Sequence, residues 1–134
     1  NIRKFNALKK THKNIKTQVC CTINMQNIFN LEAVANWIQS QSFDYVFYNY
    51  LHEAKEWNVQ YLPKNYKQFI QTKLLNNKSP GIHKEELGKA LVFMMDKDLG
   101  DDQIHWQRAQ KIKASDNFRN QSFVKVHPEY QGLL

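Results

Sequence analysis

Cysteine, proline and glycine are all scarce in this chain: two, three and four residues among 134. Cys20 and Cys21 adjoin each other, and neighbours on a strand point to opposite faces, so they are poorly placed to bridge. With no second pair, the sequence offers neither a zinc site nor an iron–sulfur ligand set, and free thiols in a reducing cytoplasm are expected. The few glycines form no phosphate-binding loop, and there is no G-x-S-x-G elbow and no Cys/His nucleophile spacing. No apolar run approaches the ~18 residues that span a bilayer. The first ten residues are polar and basic, unlike a secretory leader. The chain opens at Asn1 rather than Met, and it is expected to be a piece of something longer.

Acidic residues are outnumbered, 12 against 19 lysines and arginines, for a net charge of +7. That balance permits contact with a polyanion. The cations are dispersed, however, and only Lys9, Lys10, Lys13 and Lys16 make a dense group. A solvated helix face is the expected reading, with nucleic acid as a rival partner.

Hydrophobic periodicity organises the rest. Ile2, Phe5 and Leu8 predict a short amphipathic helix over 2–11. Ile15 to Ile23 is rich in β-branched residues and predicts a strand, ending in the polar run Asn24-Met25-Gln26-Asn27. Leu31, Val34, Ala35 and Ile38 mark one helix face, with Trp37 at its flank and Asn27 or Asn30 as the N-cap. Burying four such side chains, at about 1.5–3 kcal/mol each, would hold that helix on a sheet. Phe43 to Leu51 predicts a second strand, apolar enough to be covered on both faces. A strand–helix–strand unit of this size implies a parallel pair. Two parallel strands alone leave both sheet edges unpaired, so further strands are expected from outside this sequence.

Beyond Tyr61 the pattern turns helical. Pro63 suits a helix start, and Tyr66, Phe69, Ile70, Lys73 and Leu74 give the face. The run from Asn76 to Gly81 predicts a break. A helix over about 83–97 should bury Leu87, Ala90, Leu91, Met94 and Met95, with a C-cap at Gly100. Another follows over about 101–118, with Asp101 or Asp102 near its N-terminus. The fold expected is α/β, predominantly helical. Residues 1–60 form a strand–helix–strand portion and 61–134 a helical C-terminal extension, packed as one unit.

Candidate chemistry is thin. Asp96 to Asp102 superficially resembles a calcium loop, but Gly100 and Gln107 occupy the fifth and twelfth positions, where ligands are needed. No two of the five histidines share a helical i, i+3 or i+4 spacing, so no catalytic and no metal-binding residues are assigned. His52 directly follows the second strand, where functional groups gather in α/β proteins, and Glu53, Glu56 and Trp57 lie beside it. Asn24 and Asn27 hold the equivalent place after the first strand, either as ligands or as helix caps. Tyr45, Phe47, Tyr48 and Tyr50 suit a packed strand better than a base-stacking face.

Several segments together resemble the C-terminal half of twitch-domain radical S-adenosylmethionine enzymes. Thr22-Ile23-Asn24-Met25-Gln26-Asn27-Ile28, followed by Leu31 and Trp37, is similar to that family's late strand, Asn-bearing loop and helix. Tyr45 to Leu51, then Val59-Gln60-Tyr61-Leu62-Pro63 and Lys67, resembles its last barrel strand and Leu-Pro helix start. Asp116, Arg119-Asn120-Gln121-Ser122-Phe123 and Pro128-Glu129 resemble its closing pattern. The resemblance implies the late β-α-β portion of a partial (β/α) barrel. The family's Cys-x3-Cys-x2-Cys loop is absent, and Cys20-Cys21 cannot replace it. The four-iron four-sulfur cluster and the S-adenosylmethionine cleavage it drives would therefore belong to an upstream part of the same polypeptide, and this chain alone is expected to be inactive. By position after the late strands, the resemblance points to Asn24, Asn27, Asn49 and His52 as cofactor-side residues. In the closing pattern, Arg119 is expected to pair with Asp116, with Phe123 and Val126 docked on the core.

Two other functions fit the composition: a small basic nucleic-acid-binding module, carried by Lys9, Lys10, Lys13 and Lys16, and a non-catalytic helical interaction domain whose apolar strand is covered by a partner.

Overall fold

In the computed structural model of the chain, residues 1–76 and 82–133 are described. They are mostly helical around a small parallel sheet. The order is α1 (Ile2–Thr11), β1 (Gln18–Ile23), α2 (Met25–Ile28), α3 (Leu31–Ser40), β2 (Tyr45–Tyr50), α4 (Lys64–Leu75), α5 (Ile82–Asp96), α6 (Asp102–Arg119) and α7 (Phe123–Val126). Short 3-10 turns occupy Lys55–Trp57, Val59–Tyr61 and Pro128–Tyr130.

β1 and β2 pair in parallel, with Gln18 opposite Tyr45 and Ile23 opposite Tyr50. Both strands are shorter than the apolar pattern suggests. The ladder ends at residue 17: its carbonyl still accepts the Tyr45 N–H, but its N–H donates to the Asp44 carboxylate at 2.7 Å instead of a strand partner. Successive side chains alternate between faces. Cys21 and Ile23 are buried on one face, with Val19, Val46, Tyr48 and Tyr50 packed against the same core. On the other face Gln18, Cys20, Thr22, Tyr45, Phe47 and Asn49 are exposed. Among the described residues the sheet is thus covered on one side only, where the aromatic run of β2 predicts two.

The covered side meets α5, whose Phe93 ring stacks on Tyr50 with centroids 4.6 Å apart. Leu87, Ala90, Leu91 and Met94 are buried as their spacing predicts, but Met95 faces solvent. α3 buries Leu31, Ala35 and Ile38 and leaves Trp37 half exposed. One hydrophobic cluster joins Ile23, Met25 and Leu31 to Ile70, Leu87, Ile112 and Tyr130, so the strand–helix–strand portion and the helical extension share a core.

α4 buries Ile70 and Leu74 and packs Tyr66 on the core as the spacing predicts, but its inward face takes Lys67 rather than Phe69. Lys67, Ile70 and Leu74 are buried, while Phe69 is 56 % exposed. The Lys67 ammonium is satisfied by the Lys97 carbonyl at 2.7 Å and the Asp98 carboxylate at 3.3 Å. That anchors the α5–α6 connection to α4. Gly100 is not a helix cap: α5 ends at Asp96, four residues earlier. Asp101 caps α6, its Oδ1 accepting the Gln103 N–H at 2.6 Å. The predicted break at 76–81 lies, from residue 77 onward, outside the described residues.

Candidate functional site

Parallel pairing brings the C-terminal ends of both strands to one edge, which places the loops after Ile23 and Tyr50 side by side. All four residues singled out by position sit at or near this edge, but they do not form one constellation.

Asn24 and Asn27 build a reciprocal capping box on α2. The Gln26 N–H donates to Asn24 Oδ1 at 2.8 Å, and the Asn24 N–H donates to Asn27 Oδ1 at 3.0 Å. Both side-chain amides donate back to the Thr22 carbonyl, at 3.3 and 2.9 Å. The polar run is therefore a turn of helix clamped onto the end of β1, and the two amides are occupied within it. Gln26, between them, points its exposed side chain outward.

Asn49 lies on the open sheet face, where its amide approaches Cys20 Sγ at 3.0 Å. His52 is exposed on the other side of β2, with its ring edge-on to Phe93 at 5.0 Å. Its carbonyl accepts from the buried Asn58 amide at 3.2 Å. Glu56 is no acid–base partner for His52. It is buried and paired with Lys111, whose hydrogen bond holds its carboxyl below the ordinary range.

Cys20 and Cys21 are separated by the sheet, Cys20 exposed and Cys21 buried, and burial raises the Cys21 thiol. Among the described residues no cluster of three histidine, cysteine or acidic side chains could hold a metal ion.

Two grooves border the sheet. One of about 540 Å³ follows β2 and is lined by Phe47, Tyr48, Tyr50, Glu86 and Lys89. The other, about 360 Å³, lies between α1 and the start of β1, against Ile2, Phe5, Ile15 and Phe43. α1 buries none of its residues: Phe5 and Leu8 are 52 % and 43 % exposed. The basic group beside it is partly neutralised. Lys9 forms an ion pair with Asp44 at 2.7 Å, and Lys16 lies 4.0 Å from the same carboxylate. The Lys9 and Thr17 hydrogen bonds hold the Asp44 carboxyl well below the usual carboxylate range.

A separate buried polar group was not legible from motifs. Arg108, fully buried, donates from Nε to the Glu56 carbonyl at 2.7 Å and from one Nη to the Tyr61 carbonyl at 3.4 Å. Burial pulls its guanidinium down to about 10, so it stays charged at neutral pH. Its other Nη and the buried Tyr130 hydroxyl have no hydrogen-bond partner among the described residues. Arg108 stands four residues before the buried Ile112, and that i, i+4 spacing is the only sequence sign of its burial.

The closing pattern also departs from expectation. Asp116 accepts the Phe123 N–H with both oxygens, at 3.0 and 2.9 Å, rather than pairing with Arg119. Phe123 packs against the core, but Val126 is 70 % exposed, and Tyr130 is the side chain that seals this end. Among the described residues no helix is long and apolar enough to cross a membrane. In comparisons with protein-family models, with curated proteins and with solved structures, nothing matches this chain.

Proposed function

We propose that this chain is the C-terminal region of a radical S-adenosylmethionine enzyme: the late β-α-β portion of a partial (β/α) barrel with a helical C-terminal extension. The observation that carries the reading is the sheet itself. Its two strands are parallel, its helix-covered face is buried, and its opposite face presents Cys20, Thr22, Phe47 and Asn49 to solvent. A parallel sheet is ordinarily covered on both faces and flanked by further strands. One face packed by helices and the other open is the geometry of a barrel wall whose inner surface awaits the rest of the barrel.

On this reading Thr22 and Asn49, at the C-terminal ends of the strands, face the barrel interior. Asn49 is the residue best placed to meet S-adenosylmethionine or substrate, with His52 on the rim beside it. Asn24 and Asn27 act indirectly, by fixing the loop after β1. The iron–sulfur cluster and the cleavage of S-adenosylmethionine belong to residues outside this chain, and no step of that chemistry is assigned to residues within it.

The coding sequence 5′ of the Asn1 codon tests this directly. It should continue in frame into a region encoding Cys-x3-Cys-x2-Cys, and the longer product, reconstituted anaerobically, should acquire iron–sulfur absorbance that this chain alone does not. A start codon immediately before Asn1, with no such region, removes the proposal.

A further inference from the structure

The closing segment contains an opposite-charge pair at i, i+3 that does not close on itself. Asp116 and Arg119 lie one turn apart on α6, a spacing at which such side chains ordinarily meet. Here both Asp116 oxygens take the Phe123 N–H. Arg119, exposed at the end of α6, is left facing a pocket of about 240 Å³. Gln26, Gln121 and Ser122 line the same pocket, and Phe123 and Val126 give it an apolar wall. Gln26 comes from α2, directly after β1, so the pocket joins the closing segment to the C-terminal end of the sheet.

We propose that this pocket binds a small aliphatic monocarboxylate. Arg119 supplies the forked, permanently charged donor that matches a carboxylate. The side-chain amides of Gln26 and Gln121 and the Ser122 hydroxyl supply neutral donors around it. Phe123 and Val126 accept the short apolar tail. The charge of the ligand is limited by its surroundings. The Asp116 carboxylate also lines the pocket, and it opposes a dianion about twice as strongly as a monoanion. A monoanion is therefore favoured over a phosphate dianion. The volume admits a few carbon atoms beyond the carboxylate. Binding here needs no residue outside this chain, so its outcome is separate from that of the reading above.

The test is a titration of the whole chain with butyrate, inorganic phosphate and chloride at matched ionic strength, followed by amide NMR. Butyrate should give saturable shifts centred on Gln26, Gln121 and Ser122. Arg119→Gln should weaken binding about tenfold or more, and Arg119→Lys should recover part of the loss. Arg119 is exposed, so both variants should keep the wild-type spectrum elsewhere. Three results would overturn the proposal: shifts that follow ionic strength alone, butyrate binding unaffected by Arg119→Gln, or phosphate binding as tightly as butyrate.

Discussion

Among the described residues, Arg108 and Tyr130 are the two largest side chains withdrawn completely from solvent, and each carries a polar atom with no partner there. Their consequences should differ. The Tyr130 hydroxyl makes no protein hydrogen bond, so Tyr130→Phe should change stability by less than about 1 kcal/mol, and Tyr130→Ala should cost about 3–5 kcal/mol through the cavity it leaves. Arg108→Met keeps much of the volume but strands the Glu56 carbonyl, and a loss of about 1–3 kcal/mol is expected. Urea denaturation of the three variants checks the order. A Tyr130→Phe loss as large as that of Arg108→Met would show that the hydroxyl is bonded after all. Neither residue was legible as functional or structural in the sequence. A buried arginine leaves only its place in an apolar spacing, and Tyr130 lies beyond Pro128, where the periodic pattern has ended. Asn24 and Asn27 show the opposite error. Their place after a strand is real, but the same amide chemistry that reads a ligand also caps a helix, and only the hydrogen-bond partners separate the two. Asn24→Ala should therefore cost about 1 kcal/mol of stability, as loss of an N-cap does. An unchanged urea midpoint would return Asn24 to the candidate ligands.

At the scale of elements, what was legible followed from periodicity and what was not followed from tertiary hydrogen bonds. The amphipathic pattern gives α1 its observed limits, Ile2–Thr11, and the buried positions of α5 except Met95. β1 begins later than its β-branched run because the Ile15 N–H turns back to the His12 carbonyl and the Thr17 N–H goes to Asp44 instead of a strand partner. α4 buries Lys67 in preference to Phe69 because the Lys97 carbonyl and Asp98 satisfy the ammonium. No local pattern announces that. The Asp44 clasp has a pH signature. Its carboxyl titrates below the ordinary aspartate range, so its contribution is present above the unfolded value, near pH ~4, and is lost as pH falls through the lower folded value. α1 also rests on the Lys9 hydrogen bond to the Ser42 carbonyl and on Asn6 donating to the Gln41 carbonyl. Lowering the pH from about 4 toward the lower folded value should progressively loosen α1 before the rest of the fold. Amide exchange protection in α1, compared with α5, measures this, and Asp44→Asn should remove most of the difference. Equal loss of protection in both helices would show that α1 is not held separately.

The whole molecule combines a complete core with an incomplete surface. Helices α3 to α6 and the buried sheet face share one cluster, yet the opposite sheet face exposes Tyr45 and Phe47 by about half, and α1 exposes Phe5 and Leu8 beside the start of β1. Unpaired parallel edges next to exposed aromatics invite pairing with another chain. The isolated chain is accordingly expected to self-associate as its concentration rises, a tendency that its charge of +7 opposes without abolishing at ordinary salt. Tyr45→Thr with Phe47→Lys adds polarity and a charge to the open face without touching the core, so it should suppress association and alter stability by less than about 0.5 kcal/mol. Sedimentation velocity over a concentration series separates the outcomes. The wild-type chain should show a rising mean sedimentation coefficient and the double variant a constant monomer. If the longer polypeptide proposed above covers this face with its own strands, it should also remain monomeric while keeping both aromatics. A wild-type chain that stays monomeric at every concentration would mean that the open face tolerates water as it stands, and the barrel-wall reading would lose its main physical support.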